Sequence, residues 1–438
     1  MIKINNVTIL GANGTMGPKL AGIFSSFGKA NVFLISRTLT KSQTAVERAV
    51  KSVRSDSIRK RLIPKTYEDL EECIKKSDWI FESVSEKNEL KNQVNLKINR
   101  YRKKNTIVTT GTSGLSINDL KNSFDEKGQS LYFGTHFFNP PYKLPLCELI
   151  PSSTSDKKVT KELKEYLEKI LYRKVIMVKD KPAFLANRIG FQFLNDSAKM
   201  AEEYKEFGGI DYIDSIVGPF TGRALPPLLT IDFVGLDIHG DIIENLYENT
   251  DDLFHDSFIL PDYLIDLISE EKLGKKSGEG LFKTIKASDG RKKHLVYDLS
   301  LNEYREKRNY DFKFAKKMVT AIHDGMYDRG FEILNKSDSQ EAEICKYLLF
   351  KHVIYSAIIS NEVASSEVEA DLAMSYGFNW IPPSSLTKLI GGKEQLLEEL
   401  EKNSVFKTKL PTKKIEKVLD QIGKKSDIDY RKFLMARS

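Results

Sequence analysis

The segment THFFNPPYKLPLCELIP places His136 twelve residues before Glu148. Imidazole suits a general base near neutral pH, and a buried carboxylate fixes its tautomer and raises its basicity. On spacing alone such a pair reads as structural more readily than as catalytic. A second segment with chemical potential is VTIL followed by GANGTMG, with glycines at Gly11, Gly14 and Gly17. Glycines there permit a tight turn, and a helix starting near Thr15 would aim free N–H groups and its positive end at the loop, an arrangement suited to a dinucleotide pyrophosphate. Asn13 makes the spacing G-x-x-G-x-x-G, one residue longer than the usual fingerprint. About 20 residues on, that fingerprint expects an acid for the adenosine ribose. This chain has Ser36 followed by Arg37, a pair that on physics alone favours a 2′-phosphate.

Those residues need elements to hold them. Val7 to Leu10, Val32 to Ile35, Trp79 to Phe81, Ile107 to Thr109 and Leu131 to Gly134 read as buried strands, with helical spacing between them. The alternation predicts a doubly wound α/β sheet, with His136 at the carboxyl edge where ligands bind such sheets. After Val175 to Val178 the pattern turns helical, so the sheet domain is expected to end at residue 181. A charged, aperiodic stretch at about 284–312 reads as a linker. Beyond it, FKHVIYSAIISNEVA, EVEADLAMSYGF and WIPPSSLTKLIGG echo the earlier FQFLNDSAKMAEE, IDYIDSIVGPF and ALPPLLTIDFVG. Two helical units of one ancestral pattern would bury their apolar faces against each other.

The composition is that of a globular chain. Of its 438 residues 40% are hydrophobic and 29% charged, with a net charge of +7 spread along the length, and no apolar run reaches membrane-spanning length. A nucleic-acid partner would want its basic residues gathered on one face. Three scattered cysteines fit no disulfide framework and no metal site, so a cytoplasmic protein without metal or membrane insertion is expected.

Taken together, the pieces GTMG (14–17), ESVSEKNELK (82–91), TSGLSI (112–117), HFFNPPYKLPLCELIP (136–151), KDKPAFLANRIG (179–190), DFVGLD (232–237) and KLGKKSGEGLF (272–282) resemble the L-3-hydroxyacyl-CoA dehydrogenases. The resemblance implies an N-terminal Rossmann domain over 1–181 and a first helical domain over 182–297. A charged extension over 298–340 and a degenerate second helical repeat over 341–438, with a packing role, would follow. It implies oxidation of an L-3-hydroxyacyl-CoA to the 3-oxoacyl-CoA, in fatty-acid β-oxidation or a related acyl-CoA pathway. His136 would be the base, Glu148 its partner, and Ser113 and Asn187 the polar groups beside the reacting oxygen. Without the resemblance, Ser113 would read as a turn residue and Asn187 as a helix cap. The dinucleotide would lie on Gly11, Asn13, Gly14, Thr15, Met16, Gly17, Ser36 and Arg37, with Glu86 and Lys91 on the cofactor side. The family's habit makes NAD the expected cofactor, with NADP left open by Ser36 and Arg37. A dehydrogenase of free hydroxy acids or sugar acids, or a nucleotide-binding protein without activity, are the rival expectations.

Overall fold

The computed structural model describes residues 2–286, 290–364, 368–402 and 427–434. The chain divides into two compact units, Met1–Phe184 and Leu185–Ser438, three residues beyond the expected boundary at 181.

The first unit is built on eight strands: β1 (Asn6–Leu10), β2 (Asn31–Ser36), β3 (Leu62–Thr66), β4 (Trp79–Glu82), β5 (Ile107–Thr110), β6 (Tyr132–Phe137), β7 (Leu146–Pro151) and β8 (Lys174–Met177). Their order is β3-β2-β1-β4-β5-β6-β7-β8, with the direction of winding reversing beside β1. Strands β1 to β6 are mutually parallel; β7 runs antiparallel to β6 and parallel to β8. The near-continuous apolar runs are what strands buried on both faces require. Val7, Ile9, Leu34, Trp79 and Phe133 meet Leu20 and Phe24 of the helix Gly17–Ser26 in one core. Trp79 lies edge-on to Phe24 at 5.0 Å and donates its indole N–H to Thr109 at 2.9 Å, so the largest core side chain is also satisfied. Strand β3, absent from the sequence expectation, carries Pro64 and is half-buried, and a proline is tolerated at a sheet edge.

In the second unit the helix Ala186–Glu203 packs beside the long helix Gln340–Val363. The long helix is buried on nearly every face, including Leu348, Leu349, Phe350, Val353 and Ile354. Arg188 donates to Asp252 through Nε at 2.9 Å and through Nη2, and the Tyr355 hydroxyl shares the same carboxylate. The two sequence echoes have equivalent anchors. Asp214 accepts the Leu228 and Leu229 N–H groups at 2.7 and 3.0 Å, capping helix Pro227–Val234. Asp371 accepts the Ser384 N–H at 2.9 Å at the start of helix Pro383–Leu389. The repeats meet at matching segments, with the Ile381 N–H donating to Gly222 O at 2.7 Å beside a bridge between Arg223 and Trp380.

The expected linker is corrected by the structure. The stretch 284–312 contributes to an antiparallel sheet of β9 (Phe282–Lys286), β10 (Lys292–Asp298) and β11 (Glu303–Glu306), and the helices Lys313–His323 and Tyr327–Asn335 follow. Its charges are structural: Arg305 joins Asp298 to Asp211 of helix Ile210–Ile216, through Nη2 at 2.8 Å to Asp211. The parts of the expected second repeat at 365–367, 403–426 and 435–438, and of the expected linker at 287–289, lie outside the described residues.

Since the long helix is covered on one side by Ala186–Glu203, deleting residues 341–438 uncovers a broad apolar face. The truncated chain is expected to dimerise or aggregate in light scattering; a well-behaved monomer would contradict this packing.

Candidate active site

The antiparallel ladder between β6 and β7 sets His136 directly opposite Glu148. Partners in register on an antiparallel pair project to the same face, which turns a sequence gap of twelve residues into contact. His136 Nδ1 lies 2.6 Å from Glu148 Oε2. Glu148 is fully buried, and the imidazole is 6% exposed between the rings of Phe138 and Phe184, at 4.6 and 5.7 Å. With Nδ1 engaged by the carboxylate, Nε2 is the nitrogen left for a substrate proton. The turn joining the two strands is tied to the first helix. Tyr142 donates to Lys19 O at 2.9 Å, and Lys19 reaches the Asn139 side chain. Gly22 makes room, since a Cβ there would come within 2.3 Å of the Tyr142 oxygen.

Ser113 follows β5, the neighbour of β6, so it shares the carboxyl edge with His136. Its N–H donates to Glu86 Oε1 at 2.8 Å, and the same oxygen accepts the Thr112 hydroxyl. Behind Glu86 sits Lys91, 1% exposed, 3.3 Å from Glu86 and 3.0 Å from both oxygens of the buried Glu82. Glu82 also accepts the Thr110 hydroxyl and the Val84 N–H, each at 2.7 Å. The Lys91 ammonium is therefore held inside the protein by two carboxylates, one of which, Glu86, also accepts the Ser113 N–H. Gly111 is open only to glycine, because a Cβ would meet the Phe81 ring at 2.6 Å. Asp180 fixes the other end of the turn, accepting the Ile117 and Asn118 N–H groups at 2.9 and 2.8 Å.

One strand pair further along lies the glycine loop. Gly11 has φ +71°, and a Cβ there would lie 2.3 Å from Ser83 O; at Gly17 it would lie 2.4 Å from Ala12 O. The first glycine makes the turn and the last lets the helix approach the strand. The helix begins at Gly17, with Met16 as cap and Pro18 in the first turn, two residues later than expected from Thr15. The additional Asn13 is held through its carbonyl by Arg48 Nη1 at 2.8 Å.

A cavity of about 500 Å3 opens at this switch point, lined by Gly11, Asn13, Gly14, Ser36 and Arg37 among others. Ser36 Oγ and Asn13 Oδ1 are buried without a hydrogen-bond partner. Orphaned buried polar atoms facing a glycine cradle fit a polar ligand that completes their bonding. Sequence reasoning passed over Lys41, Tyr67 and Lys97, which also line the cavity. Lys41 was legible, since it falls in the first turn of helix Leu39–Val53 just after β2.

Asn187 belongs to the second unit. It is buried in the first turn of helix Ala186–Glu203, whose cap is Leu185, so it is not the cap residue. No group of histidine, cysteine or acidic residues able to hold a metal ion is found among the described residues, and no helix among them is long and apolar enough to cross a membrane.

Removing one member of a buried ion pair leaves the other uncompensated, at a cost of about 3–5 kcal/mol. Lys91→Met is therefore expected to lower unfolding free energy by that order in urea denaturation. A loss below about 1 kcal/mol, the scale of an exposed pair, would mean the Glu82 charge does not depend on Lys91.

Residues 6–181 match the family model described as the 3-hydroxyacyl-CoA dehydrogenase NAD binding domain, and residues 184–284 match the corresponding C-terminal domain. A probable 3-hydroxyacyl-CoA dehydrogenase of Deinococcus radiodurans is 31% identical over 66% of this chain and 86% of its own length. One from Bacillus subtilis is 30% identical over 78% of this chain, which spans only 42% of that longer protein. The crystal structure of 3-hydroxybutyryl-CoA dehydrogenase from Escherichia coli K12 shares the fold with a TM-score of 0.71, covering 96% of this chain and 100% of that one at 18% identity. With both family models matched in order along the chain and a relative above 30% identity covered over most of its length, the chain is an oxidoreductase-type protein belonging to the 3-hydroxyacyl-CoA dehydrogenase family.

Proposed function

We propose that the protein interconverts L-3-hydroxyacyl-CoA and 3-oxoacyl-CoA using a nicotinamide dinucleotide, in fatty-acid β-oxidation or a related acyl-CoA pathway. The observation that carries this reading is the His136–Glu148 pair, 2.6 Å apart at the sheet edge that also bears Ser113 and the glycine loop. Gly11, Asn13, Gly14, Thr15, Met16, Gly17, Ser36 and Arg37 would hold the dinucleotide, which when bound accepts the hydride from C3. His136 Nε2 takes the proton of the substrate 3-hydroxyl, and the Glu148 carboxylate stabilises the imidazolium so formed. The Ser113 hydroxyl donates to the substrate oxygen; in the reverse direction that bond polarises the ketone. The family pattern assigns Asn187 a similar amide contact. Glu86 and Lys91 keep the Ser113 turn in place. Three free cysteines, Cys73, Cys147 and Cys345, are all buried, which accords with a reducing compartment such as the cytoplasm.

The test follows oxidation of reduced nicotinamide by its near-ultraviolet absorbance, with acetoacetyl-CoA as substrate. General acid–base catalysis is worth ~10²–10⁴-fold, so His136→Asn and Glu148→Gln are each expected to lower kcat by that order with KM little changed. A Glu148→Gln enzyme with near-normal kcat would remove the role given to that carboxylate. Absence of turnover in the unaltered protein with both reduced dinucleotides would remove the proposed reaction.

A further inference from the structure

The adenosine end of the cavity has the wrong charge for the usual ribose contact. An NAD site of this fold offers a carboxylate that accepts the 2′-hydroxyl and repels a 2′-phosphate. Here no aspartate or glutamate is among the residues lining the cavity, whereas Arg37, Lys41 and Lys97 are.

Ser36 occupies the last position of β2, paired in register with Thr66 of β3. Its side chain is 4% exposed, lines the cavity, and its hydroxyl has no partner. A buried hydroxyl is rarely left unbonded unless a ligand or ordered water satisfies it. Beside it, helix Leu39–Val53 starts with Thr38 as cap, its Oγ1 accepting the Lys41 N–H at 3.4 Å. The positive end of a fifteen-residue helix is therefore directed at the same corner.

Several neighbouring cations are engaged within the protein. Arg48 is engaged by Asn13 O, Arg59 by Glu47 and Asp56, and Lys65 by Asp69. Among the described residues, neither Arg37 nor the Lys41 ammonium has a hydrogen-bonding or ion-pair partner, although both line the cavity. A planar guanidinium fork matches a phosphate bidentately, and an ammonium adds a point charge. A buried free hydroxyl, two unpaired cations, a helix start and no carboxylate make up a phosphate subsite.

We infer that the preferred cofactor is the 2′-phosphorylated dinucleotide, NADP(H), with Ser36, Arg37 and Lys41 holding the 2′-phosphate. This inference rests on the nicotinamide-dinucleotide reading of the cavity. It places the enzyme with reactions that draw on the NADPH pool, so reduction of a 3-oxoacyl-CoA becomes the favoured direction where that pool is kept reduced.

Calorimetric titration of the full-length protein with NADPH, NADH, 2′,5′-ADP and 5′-AMP tests it without turnover. Charge-assisted hydrogen bonds to the 2′-phosphate are the strong ones, so NADPH is expected to bind at least about tenfold tighter than NADH. The same preference should appear for 2′,5′-ADP over 5′-AMP, and it should shrink as added salt screens the phosphate contacts. Arg37→Gln and Lys41→Gln should each lower the NADPH-to-NADH affinity ratio severalfold, and Ser36→Asp should reverse it. Equal or tighter binding of NADH, or a ratio unchanged in Arg37→Gln, overturns the inference while leaving the nicotinamide reading intact. Binding of neither dinucleotide overturns both.

Discussion

The antiparallel pairing of β6 with β7 is the constraint on which the rest of the site depends. Parallel neighbours need a long crossover, whereas an antiparallel pair can return within a short loop. That reversal, in a sheet otherwise led by six parallel strands, sets His136 and Glu148 across from each other with both side chains on one face. Sliding the register by one residue would send one of the two to the opposite face. The loop that makes the return is in turn docked on the helix behind the glycine loop, through Tyr142 to Lys19 O and Lys19 to Asn139. The histidine and the dinucleotide loop are therefore referenced to the same helix.

The carboxyl edge works as a row of adjacent strand ends. Reading across β1, β4, β5 and β6 gives the glycine loop, the Ser83–Glu86 segment, the Ser113 turn and His136. Each end is held from behind by buried polar groups and not by apolar packing alone. Glu82 collects Lys91, Thr110 and the Val84 N–H, and Glu86 collects Thr112 and Ser113. A buried carboxylate with this many donors is costly to disturb, which is how a loop residue such as Ser113 acquires a defined position.

In the second unit the same economy of pattern recurs. Two sequence echoes each place an aspartate, Asp214 or Asp371, at the start of a proline-led helix, and the repeats join through Gly222 and Ile381. Each repeat has an apolar face that nothing within that repeat can bury, and the helices Ala186–Glu203 and Gln340–Val363 resolve this by covering each other.

Much of this was determined by the sequence alone. Five of the eight strands were legible as buried apolar runs, because a strand covered on both faces is mostly apolar along its length. The glycine loop was legible because only glycine tolerates the backbone approach at Gly11 and Gly17. Ser36 and Arg37 already departed from the expected acid, and the residue types alone stated the charge. Tertiary structure decided what depends on partners distant in the chain. Strand β3 was hidden by Pro64, whose missing N–H is harmless only once the strand is known to be at an edge. The sheet β9–β11 was read as a linker because its charges look solvated until Arg305 is seen between Asp298 and Asp211. The pairing of Lys91 with Glu82 is visible only in the folded chain, and Ser36 became informative only when its hydroxyl proved buried and unpartnered. Composition and spacing report the period and polarity of an element; which opposite charge or empty cavity it faces is set by the fold.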